Sequence, residues 1–228
     1  MSNNTTITTR WWWIRHAPID GPVGPLYGQM DMSCITTDLG SFQALAAALP
    51  VNALWLTSHL RRTKETADAI AGAGDFTIAP TAEPLIAEQD FGAWSGKCWS
   101  DLGAEDPDAQ SAFWADPTGN CPPDGESFAN VLTRVSGAVN RLTAMHAGHD
   151  IIAVAHGGSI RAALAMALGI DAAAAMALVV DTLSLTRIDH VAGGLLRGHG
   201  RAWRIGGVNM PAKGVSCSPN STDAIARG

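Results

Sequence analysis

Three short segments hold the side chains best suited to an oxyanion: Arg15-His16, Ser58-His59-Leu60-Arg61-Arg62 and His156-Gly157-Gly158. A guanidinium grips phosphate or carboxylate through paired N–H donors, and imidazole near neutral pH can act as nucleophile, acid or base. One such segment alone decides nothing. With twelve Arg and seven His in the chain, chance supplies roughly 0.4 Arg-His dipeptides. What lifts the three above chance is their placement, each beyond a short apolar run: Trp11 to Ile14, Ala53 to Leu56 and Ile151 to Ala155. Such runs read as buried strands. Open α/β sheets bind ligands beyond the carboxyl ends of their strands, so Arg15, Arg62, His16 and His156 are expected to meet in one crevice.

The elements that must position these groups follow from periodicity. Helices are predicted over Asp38 to Leu49, Thr63 to Ala71 and Ser159 to Leu168. A longer one starts at Ser127, with Phe128, Val131, Leu132, Val135, Val139 and Leu142 stepping by three and four. Ser184 to Ile188 and Ala202 to Ile205 add two strands, the first β-branched and the second weaker. Strands alternating with helices predict an α/β fold whose central sheet is mostly parallel and flanked by helices on both faces. Ala162 to Val180 is apolar and long enough to suggest a membrane span, but Asp171 near Gly169 splits it into two short buried helices. The chain divides into a polar N-terminal extension, 1–10, one domain, 11–209, and a tail, 210–228, whose aperiodic mixture of Pro, Gly, Ser and Asn predicts disorder.

The 228 residues are 46% hydrophobic and 16% charged, enough for a sizeable core and too apolar for a disordered chain. A net charge of −6 without any Lys/Arg block speaks against nucleic acid and against a membrane as partner. Cys34, Cys98, Cys121 and Cys217 make no C-x-x-C pair or disulfide framework and are expected as free thiols. The opening MSNNTTITTR lacks the features of a secretory signal, so a cytoplasmic location is expected. His59, His146, His149, His190 and His199 lack metal-ligand spacing; neither a metal nor another cofactor is expected.

Between the strand-end segments lie Leu85-Ile86-Ala87-Glu88-Gln89-Asp90-Phe91-Gly92-Ala93-Trp94 and Asp124-Gly125-Glu126-Ser127. With Arg15-His16 before them, the S-x-L-x-R-x-x-x-T-A run from Ser58 to Ala67, and His156-Gly157-Gly158 after them, the sequence resembles the histidine phosphatase superfamily in its phosphoglycerate mutase-like branch. The resemblance extends from Trp11 to about Asn209. It implies a phosphoglycerate mutase-like fold and phosphoryl transfer through a covalent phosphohistidine. His16 would be the nucleophile, with Arg15, Arg62 and His156 holding the phosphoryl oxygens. Glu88 would be the acid that protonates the leaving oxygen, and Asp90, on the wrong side of the motif's register, ranks second. The chemistry fits these types: catalysis of phosphoryl transfer is mostly the holding of equatorial oxygens while an in-line nucleophile attacks.

The chain departs from the family pattern in places. Ala17 and Pro18 follow His16 where the family has a glycine, which is tolerated if φ is negative. Residues 18–22 do not supply the Ser/Thr and Asn that the family often adds there. Gly28 and Asp31 resemble the family's G-x-x-D element, and the amides of Gly28 and Gly157 either meet phosphate or only make turns. Glu126 and Ser127 read as a helix start, and Arg161 as an ion-pairing residue.

Hydrolysis of a phosphomonoester and isomerisation of a phosphoglycerate are the enzymatic alternatives. A mutase must also grip a carboxylate, yet between Glu88 and His156 only Lys97, Arg134 and Arg141 are cationic. That segment instead carries Trp94, Trp99, Phe113 and Trp114, which either pack a core or cover an aromatic leaving group such as that of α-ribazole phosphate. A phosphatase acting on a small phosphate ester is therefore expected. Phosphoglycerate mutase is the first alternative, and a non-catalytic binder of phosphate ligands the second. Either a monomer or a dimer is compatible with the sequence.

Overall fold

A computed structural model describes residues 6–196 and 200–213. Among them are strands β1 (Thr8–Arg15), β2 (Leu54–Thr57), β3 (Thr81–Ala82), β4 (Asp150–Ala155), β5 (Leu185–Val191) and β6 (Trp203–Met210). The helices are α1 (Leu39–Ala48), α2 (Arg61–Gly74), α3 (Trp99–Glu105), α4 (Pro107–Ala115), α5 (Phe128–Met145), α6 (Gly157–Leu168) and α7 (Ala172–Met176). The strands form one sheet in the order β3-β2-β4-β1-β5-β6. All neighbours on the β3 side of β1 pair in parallel, while β5 runs antiparallel to both β1 and β6. This is the expected mostly parallel sheet.

The central strands are apolar on both sides because each faces helices on both sides. Trp11, Trp13, Leu56, Ile151 and Ala153 join α5 and α6 in one core, whereas Trp12, Ile14, Trp55, Ile152 and Val154 join α1 and α2 in the other. Three consecutive tryptophans in β1 therefore alternate between two cores and are all buried. Trp11 Nε1 donates to Thr143 Oγ1 at 2.9 Å and Trp12 Nε1 to Asp150 Oδ1 at 2.9 Å, whereas Trp13 Nε1 has no partner among the described residues.

The capping residues do what their types predict. Ser127 Oγ accepts from Asn130 N at the start of α5, and Asp38 Oδ1 from Ser41 N at the start of α1. The apolar stretch 162–180 is indeed two helices, α6 ending at Gly169 in the left-handed conformation and α7 capped by Asp171. Among the described residues no helix is long and apolar enough to cross a membrane.

Several boundaries differ from expectation. β1 begins at Thr8, inside the predicted extension, because Thr8 to Arg10 pair with Asp189 to Val191 of β5. At the other end β6 runs on to Met210, Ala212 is buried, and Lys213 Nζ reaches Asp38. The rest of the predicted tail, with Cys217, and also His199, lie outside the described residues. β3, α3 and α4 add to the elements expected; α3 contains a glycine, and Asp106 caps α4 by accepting from Ala109 N, with Pro107 at the first helical position.

Trp11 and Trp13 separate the worth of a hydrogen bond from that of bulk. Trp11→Phe orphans Thr143 Oγ1, whereas Trp13→Phe removes a donor that has no partner, so Trp11→Phe should cost about 1 kcal/mol more. Urea unfolding of the two variants measures this, and equal losses would refute it.

Candidate active site

The sheet register brings the strand-end motifs together. Ile14 and Thr57 both stand level with Val154, so β1, β4 and β2 end side by side. His16 then continues the pairing, its N–H donating to Ala155 O at 2.9 Å. His156 follows Ala155 as N-cap of α6, and Arg62 is the second residue of α2. The two imidazoles end up 5.1 Å apart between ring centroids, tilted by 59°. The predicted convergence of Arg15, His16, Arg62 and His156 is therefore found.

His16 is 3% exposed, and its Nδ1 lies 2.7 Å from Ala17 O. A carbonyl oxygen only accepts, so the proton belongs on Nδ1 and Nε2 keeps its lone pair. Burial is the main cause that pushes the pKa of His16 down to about 3, helped by Arg62 and then Arg15 against the opposing bond to Ala17 O. His16 is thus neutral throughout the physiological range. Ala17 is buried and its φ is not positive, which is why its Cβ fits where glycine was expected; Thr66 Oγ1 accepts from its N–H.

His156 is fully buried, and its pKa falls well below 6.5 through burial first, then through the like charge that His16 would carry if protonated, and then through Arg62. Its Nε2 is 2.8 Å from Ser58 Oγ, while Nδ1 has no partner among the described residues. Ser58 belongs to the predicted motif, but sequence reasoning gave it no task. Its hydroxyl holds the ring of a residue 98 positions away, a pairing that no local pattern reveals.

The two arginines are held by carbonyls rather than carboxylates. Arg62, 1% exposed, donates from Nη1 to Met30 O and from Nη2 to Gly28 O, both at 2.7 Å. Arg15 Nη1 donates to Val180 O at 2.6 Å. Both Nε atoms are buried without a partner among the described residues. The G-x-x-D element accordingly serves α2: Gly28 offers Arg62 its carbonyl, and Asp31 Oδ1 accepts from Arg61 N at 2.6 Å. His59 is exposed.

Glu88 arrives from a loop rather than a strand end, between 3₁₀ turns at Pro84–Ile86 and Gly92–Trp94. Its Oε1 accepts from Gln89 N and from Gly158 N in the first turn of α6, each at 3.0 Å. A side chain at Gly158 would overlap that oxygen, which gives this glycine a steric reason. Asp90 is turned away, its Oδ1 accepting from Gly92 N. Gly157 borders the guanidinium groups of Arg15 and Arg161. In place of the expected ion pair, Arg161 donates from Nε to Leu178 O at 2.8 Å. Nor does Glu126 simply face a helix dipole, because it pairs with Arg134 at 2.7 Å.

The aromatic segment splits. Trp94 and Phe113 are buried with Leu102 in a small third core, whereas Trp114 is 54% exposed and packs against Trp99, ring centroids 5.1 Å apart and planes tilted by 47°. Among the described residues no group of three or more His, Cys, Asp or Glu is placed to hold a metal ion.

Two buried histidines and two arginines thus gather where β1, β4 and β2 end, with a carboxylate reaching the first turn of α6 from a loop. The sequence profile of the histidine phosphatase superfamily (branch 1) matches residues 11–197, and the chain belongs to that family. The structure of the α-ribazole phosphatase from Shigella flexneri superposes with a TM-score of 0.76 at 26% identity, over 91% of this chain and 100% of that one. The mycobacterial glucosyl-3-phosphoglycerate phosphatase Rv2419c superposes at 0.71 with 27% identity, over 89% and 99%. The bifunctional protein Rv2228c of Mycobacterium tuberculosis is 30% identical over 99 residues, 43% of this chain. The chain spans 26% of that relative's length.

The buried histidines make stability depend on pH. Above pH 6.5 neither the folded nor the unfolded chain protonates His16; as pH falls towards 3, only the unfolded chain takes up the proton. Stability should therefore drop through this window by up to roughly 1.4 kcal/mol per pH unit from His16. Measured by urea unfolding between pH 7 and 5, wild type should lose stability faster than His16→Asn. Parallel curves would overturn the assignment of a neutral buried His16.

Proposed function

We propose that this chain is a phosphomonoester hydrolase acting through a phosphohistidine on His16. The observation that carries the reading is a neutral imidazole, its Nδ1 tied to Ala17 O, set among buried Arg15, Arg62 and His156 atoms that lack partners among the described residues. A buried donor without a partner costs about 1–3 kcal/mol. Phosphoryl oxygens would satisfy all three at once.

In this reading Arg15 and Arg62 hold the equatorial oxygens of a phosphate monoester. His156 joins them if Ser58 donates to its Nε2, leaving the proton on Nδ1 as a donor to phosphate. The amides of Gly157 and Gly28 complete the cradle. The lone pair of His16 Nε2 attacks phosphorus as the P–O bond to the leaving group breaks, and Glu88 delivers a proton to the departing oxygen. Water then attacks the P–N bond while the Glu88 carboxylate takes up its proton, releasing phosphate and restoring His16. Guanidinium groups supply the positive charge, so the reaction needs no metal or cofactor.

Water as final acceptor is favoured over isomerisation because the cations available for a carboxylate are already engaged. Lys97 pairs with Glu105, Arg141 with Glu83, and Arg134 with Glu126. Exposed Trp114, packed against Trp99, supports a leaving group with an apolar or aromatic face, such as α-ribazole. The phosphatases it superposes on act on small esters, the class proposed here. Free thiols at Cys34, Cys98 and Cys121 fit a reducing, cytoplasmic setting.

The test is hydrolysis of p-nitrophenyl phosphate in the presence of EDTA. Wild type should turn over, and His16→Ala should lose at least roughly 10³-fold. A rapidly quenched wild-type reaction should carry phosphate on His16 by mass spectrometry. No turnover by wild type would favour the non-catalytic binder, and activity surviving in His16→Ala would remove the phosphohistidine. With 3-phosphoglycerate, release of phosphate should exceed conversion to 2-phosphoglycerate; the reverse would make the protein a mutase.

A further inference from the structure

We propose that Arg134, braced by Glu126, is a positioning residue that fixes the Glu88 carboxylate for proton transfer. The inference rests on the reading of Glu88 as the acid, but its observations are separate. Residues 84–94 have no strand or α-helix to satisfy their backbone, so their carbonyls must find partners elsewhere. Arg134, two turns into α5, supplies them. Its Nη1 donates to Leu85 O at 2.7 Å and Ala87 O at 2.9 Å, and its Nη2 to Glu88 O at 3.0 Å. The remaining two N–H groups close a bidentate pair with Glu126, Nε to Oε2 at 2.9 Å and Nη2 to Oε1 at 2.7 Å.

All five N–H donors of the guanidinium are thereby spent. Arg134 has none left for a substrate, so its bearing on the reaction passes through Glu88. Glu126 ties the far side of the same loop: Oε1 accepts from Asp90 N at 3.0 Å, its carbonyl from Gln89 Nε2 at 2.8 Å, and its N–H donates to Asp90 O at 2.9 Å. The loop is clamped on both sides of Glu88, whose Oε1 is thereby brought to the first turn of α6. Lys cannot replace this fork, because it lacks the planar geometry to meet a carboxylate and three carbonyls together.

General acid help matters for a poor leaving group and little for a good one. The experiment therefore compares kcat/KM for glycerol 2-phosphate, an alkyl ester, and p-nitrophenyl phosphate in wild type, Glu88→Gln, Arg134→Gln and Arg134→Lys. Glu88→Gln should lose roughly 10²–10⁴-fold on the alkyl ester and far less on the nitrophenyl ester. Both Arg134 variants should show the same selectivity, losing roughly 10-fold more on the alkyl ester. Both rates come from one sample, so a partly unfolded variant lowers them equally and leaves their ratio unchanged. If Glu88→Gln is selective but Arg134→Gln loses equally on both esters, the clamp is wrong and the acid stands. Full recovery of the ratio by Arg134→Lys would likewise overturn the geometric role. Equal losses in Glu88→Gln would overturn the acid and, with it, the clamp.

Discussion

The parallel pairing of β1 with β4 is the constraint on which the site depends. It sets Arg15 level with Ala155 and lets His16 continue the ladder to Ala155 O, so that both histidines leave the sheet at one level. Nothing in the loops could impose this. A slip of one residue would turn every side chain of β1 to the opposite face and exchange the tryptophans between the two cores. The tryptophans therefore guard the register. Trp11 and Trp13 pack with α5 and α6, and Trp12 with α1 and α2, so any slip must unpack large buried rings on both sides.

Charge is managed differently inside the crevice and outside it. Outside, Arg61 pairs with Glu65, Lys97 with Glu105 and Arg141 with Glu83, each cation cancelled where it stands. Inside, Arg62 and Arg15 are held by the carbonyls of Met30, Gly28 and Val180. A carbonyl orients a guanidinium without neutralising it. The positive potential so kept holds His16 and His156 neutral, although burial is the larger cause for both. The overall charge of −6 is silent about this pocket, since a focused local field is set by the nearest groups and their low-dielectric walls.

What could be read from the sequence was whatever one stretch of chain decides by itself. Apolar runs marked the central strands, Ser127 and Asp38 marked helix starts, and the residues after each strand marked the crevice. Edges were less legible where pairing outweighs hydropathy: polar Thr8, Thr9 and Arg10 are strand because β5 lies beside them. Long-range partnerships were not legible at all. Ser58 meets His156 across 98 residues and Arg134 meets Ala87 across 47, and neither spacing has a period or motif to announce it. Arg161 shows the same limit in reverse, for its side chain took a carbonyl where its charge suggested a carboxylate.

Glu88, the proposed acid, differs from the other candidate site residues in where it comes from. His16, His156, Arg15 and Arg62 stand at strand ends or in the first turn of a helix, fixed by the sheet, as would suit groups proposed to meet the phosphoryl moiety common to all such esters. Glu88 stands on a loop that runs on through Phe91 and Trp94 into the aromatic core of α3 and α4. In the proposed reaction it meets the leaving group, the part of the substrate that varies. In that proposal one segment carries both the proton donor and an aromatic cluster, so a change of leaving group would be accommodated by altering residues 88–115 while the sheet keeps the proposed phosphoryl site unchanged. The same segment cannot be made freely adaptable, because a carboxylate that drifts loses its line to the departing oxygen. Anchoring the start of the loop to α5 through Arg134, while leaving its continuation in α3 and α4 outside the main cores, reconciles the two demands.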